Sequence, residues 1–151
     1  MSQVPKINKA YVLIALNLGF ATVEQAFENT ELTLESLEQG DSIDLALAVQ
    51  MVRNLNHYSH IPVWASILGA HLGVTSHGPV GYATLSAATL GKALATFVEW
   101  EQIRAEAYTA EIIEQEARFE IVIRDTTGDS MFEAFFLEAF LKAFLVLFGV
   151  F

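Results

Sequence analysis

Apolar side chains recur at spacings of three and four through most of this chain, the rhythm of helices that bury one face. In residues 7–18 the set is Ile7, Ala10, Tyr11, Ile14, Ala15 and Leu18, with Gly19 placed to end the helix. Thr22 followed by Gln25 has the form of a capping box and predicts a short second helix through Phe27. A one-turn segment from Thr33 to Leu37 leads to Gln39-Gly40-Asp41, and Asp41 or Ser42 can cap a helix from about Ile43 to Tyr58. Its apolar positions are Leu45, Ala48, Val49, Val52 and Leu55. Pro62 cannot continue that helix but suits the first turn of another, which runs to about Leu72 and ends at Gly73. After the Gly78-Pro79 turn, Val80–Leu85 reads as a short apolar helix. A break near Ser86 or Ala88 precedes a long helix that begins at Thr89 and passes Trp100 to about Ile103.

The period then changes. In 117–124, Phe119, Ile121 and Ile123 share one face while Arg118, Glu120 and Arg124 share the other, with Val122 the exception. Tyr108, Ala110 and Ile112 alternate likewise, so 106–124 predicts a β-hairpin turning near Glu114-Gln115-Glu116. Thr126-Thr127-Gly128-Asp129 is a break, and Asp129 or Ser130 caps a last, Phe-rich helix. Glu133, Glu138 and Lys142 interrupt that helix, which argues for a buried or interface helix over a membrane span, and Glu138 and Lys142 stand one turn apart where they can pair. The fold class expected is α+β: a mostly helical N-terminal part, a small antiparallel hairpin and a C-terminal helix. The 151 residues fit a single domain over 1–151.

Composition narrows the function. The hydrophobic fraction of 53% and charged fraction of 17%, against about a quarter charged in typical domains, leave a surplus of apolar side chains for a pocket or subunit interface. A formal charge of −10 with no Lys/Arg cluster repels phosphate, so no direct nucleic-acid contact is expected. The absence of cysteine excludes disulfides, thiolate metal sites and cysteine nucleophiles. Lys6 and Lys9 precede an apolar stretch, but Asn17 and Gly19 interrupt it and no cleavage site follows, so the segment reads as a first helix and the cytoplasm is the expected location. The apolar ending Phe148-Gly149-Val150-Phe151 suggests a chain cut from a longer one.

Catalytic constellations are sparse. His57 and His60 lack a further ligand fixed by any motif and read as residues at a helix C-terminus, so no metal or cofactor is expected. Ser76-His77 lacks a nucleophile elbow and reads as turn chemistry, with His71 on a partly buried helix face before it. Gly69 and Gly73 read as close packing and a helix end, and Glu111, Glu114, Glu116 and Glu120 as a solvated acidic face. No enzyme is expected from these sets. The polar aromatics Trp64, Tyr82, Trp100 and Tyr108 each join a large apolar body to a hydrogen-bonding tip, as pockets for small molecules require, and Arg104 can anchor an anion or pair with a nearby Glu. These five are the candidate ligand contacts.

The stretch GPVGYATLSAATLGKALATFVEW carries a family resemblance. Gly78, Gly81, Tyr82, Ala83, Leu85 and Ser86, then Thr89, Leu90, Gly91, Ala93 and Leu94, resemble the signature of the arabinose-binding effector domain at the N-terminus of AraC-type transcription regulators. Phe136 to Ala139 and the early helices extend the likeness more weakly. The matched residues are chiefly turn and packing residues, so they indicate a fold better than a ligand, and arabinose itself is not implied. The resemblance implies a sensory domain that binds a small-molecule effector and controls promoter binding through a helix-turn-helix domain absent here. The apolar surplus and the Phe-rich last helix point to a homodimer, and the charges within that helix to no membrane contact. A protein-interaction module without a ligand is the alternative, and a cavity in the core would count against it.

Overall fold

Lys6–Asn8 forms strand β1, and Asn8 then accepts the Ala10 N–H at 3.0 Å to cap helix α1 (Lys9–Asn17). In this computed structural model, which describes residues 3–149, β1 pairs antiparallel with β2 (Ser42–Asp44), and helix α4 (Leu45–Tyr58) starts directly after it. The helices expected from residue 7 and residue 43 therefore each yield their first residues to a strand. Ile7 stands opposite Ile43 and both are buried, so a long-range apolar pair replaces the first two residues of each expected helix. A further bridge joins Ile7 to Ala105.

Between these strands lie α2 (Val23–Ala26), where both halves of the Thr22–Gln25 capping box are formed, and α3 (Leu34–Gln39), capped by Thr33. Next come α5 (Trp64–His71), a 3-10 turn at Val74–His77, α6 (Pro79–Leu85) and the long α7 (Leu90–Arg104), whose cap is Thr89. The expected hairpin is β3 (Tyr108–Gln115) and β4 (Arg118–Asp125); Gln115 faces Arg118, which leaves Glu116-Ala117 as the turn. Asp129 accepts the Met131 and Phe132 N–H groups at 3.1 and 3.0 Å and caps α8 (Ser130–Leu147). The class is α+β, with two separate two-stranded antiparallel sheets. No described helix is long and apolar enough to cross a membrane.

Two apolar clusters fill the interior. One gathers α1, α4 and α5; the other gathers Phe97 of α7, Tyr108 of β3 and the later part of α8. Helix α8 joins them through Phe132, Phe136, Phe140, Phe144 and Phe148, whose successive ring centroids lie 4.6–6.4 Å apart, with Phe136 packed against both clusters. Helices α5 and α8 approach closely at Gly69: a Cβ there would overlap the Ala139 carbonyl oxygen and lie 2.9 Å from the Lys142 Cβ. Glu138, expected to reach Lys142, instead accepts the Ser66 N–H at 3.2 Å, near the start of α5. Free N–H groups at a helix start attract a carboxylate, which is the physical reason for the exchange.

Candidate ligand-binding site

The core is hollow. A cavity of about 100 Å³ lies among α1, α4, α5, α7 and α8, and its wall is almost wholly apolar. Ala15 of α1, Leu55 of α4, Leu68 of α5 and Ala143 of α8 form part of that wall; each is a buried member of an apolar helix face. Small residues on facing helices leave the space that larger ones would fill.

The polar capacity of the wall comes from Tyr11, His77, Glu101 and Tyr108. Tyr11 donates its hydroxyl hydrogen to one Glu101 oxygen. His77 Nδ1 lies 3.1 Å from the other oxygen and 3.2 Å from the Tyr11 hydroxyl, while Nε2 lies 3.1 Å from the Leu72 carbonyl. A carbonyl can only accept, so Nε2 carries a hydrogen. Both His77 and Glu101 are buried, and the pair joins the 3-10 turn to α7 with α1 as the third member. Burial first, and then the Glu101 carboxylate, pushes the Tyr11 phenol far above its ordinary range, so it stays a donor.

Arg104 braces this group from behind. Its Nε donates to the Tyr11 hydroxyl at 3.3 Å, a terminal nitrogen donates to the Ser76 carbonyl at 3.0 Å, and the guanidinium sits 5.5 Å from the Tyr11 ring centre. It is not on the cavity wall. Trp64 is, but its Nε1 is committed to Asn56 Oδ1 at 2.8 Å and its ring stacks on Phe135, so it offers the cavity an apolar face. Tyr108 is also on the wall, and its hydroxyl has no hydrogen-bond partner. Burial, followed by the nearby Glu101 and Tyr11, pushes its phenol strongly upward.

The structure does not bring the five expected contacts together. Tyr82 and Trp100 are 58% and 51% exposed and lie off the cavity wall, because α6 and α7 turn Gly81, Thr84, Phe97 and Val98 inward instead. Tyr11, His77 and Glu101 were not expected. His77 does sit in a turn, but its ring points into the core, whereas His71 is exposed with Nδ1 2.8 Å from the Ile67 carbonyl. Glu101 had a legible signal: it continues the buried stripe of Leu94, Phe97 and Val98 at helical spacing. His57 and His60 are both exposed, and no group of three potential metal ligands occurs among the described residues.

A family model described as the arabinose-binding domain of AraC transcription regulators, N-terminal, matches residues 21–150. The chain belongs to that family. This AraC-type arabinose-binding domain is also similar to the Ornithine utilization regulator of Pseudomonas aeruginosa, 37% identical over 60 residues. The match covers 40% of the chain and 18% of that regulator, so it spans less than a fifth of the relative's length. No solved structure matches. The family is one of regulatory ligand-binding domains, and the hollow core gives this AraC-type domain a place to hold a ligand.

Proposed function

We propose that this domain senses a small molecule inside its core and, as part of a longer AraC-type regulator in the cytoplasm, passes the signal to a C-terminal helix-turn-helix domain that binds promoters. The cavity carries this reading: an apolar hollow with a few polar side chains among its lining residues suits a small effector. Membership of a regulator family supports it. The charge of −10 supports leaving DNA contact to another domain. Tyr11, Trp64, His77, Glu101 and Tyr108 are the ligand-facing set, Arg104 positions Tyr11, and Tyr82 and Trp100 belong to the outer surface. Leu141 and Leu145, one turn apart on α8 and 55% and 39% exposed, favour a homodimer face. A module that only joins proteins has no use for a hollow core, which favours the sensory reading over that alternative.

A metabolite screen by thermal shift tests the proposal. A ligand at about 100 times its dissociation constant adds roughly 2.7 kcal/mol, which raises the melting temperature by roughly 5–10 °C for a domain of this size. The chain has two tryptophans, so Trp100→Phe leaves Trp64 on the cavity wall as the sole indole reporter. A hit should both raise the melting temperature and move Trp64 emission. Stabilisation by every hit without any change in Trp64 emission would place the effector elsewhere and overturn the pocket.

A further inference from the structure

The hydrogen-bonding groups of the cavity wall differ in what they have left to give. Tyr11, Glu101 and His77 are satisfied by one another and by the Leu72 carbonyl. Tyr108 is not: the residue is 2% exposed and its hydroxyl is unpartnered. A buried hydroxyl without a partner carries a desolvation cost, which a ligand oxygen accepting its hydrogen would relieve.

The same wall selects against charge. A carboxylate in the cavity would lie beside Glu101, while the nearest guanidinium, Arg104, is turned toward Ser76 and Tyr11. An ammonium would shed its water against apolar walls and compete for a carboxylate that already accepts from Tyr11 and has His77 Nδ1 3.1 Å away. Size sets the rest. The volume of about 100 Å³ is of the order of the roughly 150 Å³ apolar cavity known to take up benzene.

We infer that the effector is a neutral, ring-sized, chiefly apolar molecule bearing one hydroxyl or carbonyl oxygen that accepts a hydrogen bond from Tyr108. This inference rests on the effector-pocket reading above and adds the ligand's chemical class. Four probes of similar size separate the two: 4-methylphenol, toluene, benzoate and benzylamine, each titrated into the chain by calorimetry with Trp64 emission in the Trp100→Phe background as the locator. 4-Methylphenol should bind about tenfold tighter than toluene, the usual worth of one buried hydrogen bond, and both charged probes should bind more weakly than either. Tyr108→Phe keeps the ring and should bring 4-methylphenol and toluene to about equal affinity, without weakening toluene. Benzoate or benzylamine binding at least as tightly as 4-methylphenol would overturn the chemical class and leave the pocket standing. An undiminished preference for 4-methylphenol in Tyr108→Phe would overturn the role of Tyr108. Failure of all four to bind would overturn the pocket reading together with its ligand class.

Discussion

Replacing His77 with Leu should destabilise this domain far more than replacing Glu101 with Gln, although the two side chains form one pair. With the His77 imidazole gone, the Glu101 carboxylate stays buried and keeps only the Tyr11 hydroxyl as donor. Stranding a buried carboxylate by removing its partner costs about 3–5 kcal/mol. The Glu101→Gln change would leave no such charge. The carbonyl of the new amide accepts from Tyr11, and its NH2 group donates to Nδ1 of a neutral imidazole whose Nε2 still serves the Leu72 carbonyl 3.1 Å away. That exchange of charge-assisted for neutral bonds costs about 1 kcal/mol. Urea unfolding followed by circular dichroism gives both values. At roughly 2–4 °C per kcal/mol, melting should fall by about 6–20 °C for His77→Leu and by only a few degrees for Glu101→Gln. Adding Glu101→Leu to His77→Leu removes the stranded charge and should restore at least about 1 kcal/mol. If His77→Leu were no worse than Glu101→Gln, or the double variant no better than His77→Leu, the buried pair would not be organised as described.

Further outcomes follow from other contacts. Gly69→Ala gains about 1 kcal/mol of helix propensity, yet its Cβ would collide with the Ala139 carbonyl, so thermal unfolding should show a net loss, with overpacking costing about 1–3 kcal/mol. The Phe132 N–H first, then Arg53 and the Met131 N–H, hold the Asp129 carboxyl below its ordinary value against desolvation. Its contribution is therefore complete above the unfolded value of about 3.9 and is lost as pH falls through the lowered one. Asp129→Asn should flatten the acid limb of the stability curve below about pH 4, measured by urea unfolding across pH. Leu141→Asp should convert a homodimer to monomers in sedimentation velocity; a monomeric parent chain would refute the α8 face as the dimer contact.

Local chemistry was legible where the signal and the structure occupied the same few residues. Thr22–Gln25 caps α2 as expected, α7 starts just after Thr89, and Asp129, one of the two candidates, caps α8, since a cap is decided within one turn. The hairpin showed itself through alternation over eight-residue strands. Three-residue strands contain too little alternation to read, and β1 and β2 pair because Ile7 meets Ile43 across three intervening helices. The site was hidden for the same reason. Tyr11 meets His77 and Glu101 at separations of 66 and 90 residues, which no local spacing encodes. Side-chain type alone selected Tyr82 and Trp100, but their positions on α6 and α7 turn them outward.

The phenylalanine series of α8 has a mechanical consequence. Rings placed every fourth residue advance about 40° per step around a helix of 3.6 residues per turn, so the series winds from Phe132 in the first cluster toward the face packed on Phe97. It works as a screw thread engaging both halves of the interior. Neither half can melt or shift while the other stays in place, so this polypeptide should lose its structure in one cooperative step. A small rotation imposed where the thread touches the hollow would be felt at its far end, beside Phe144 and Phe148.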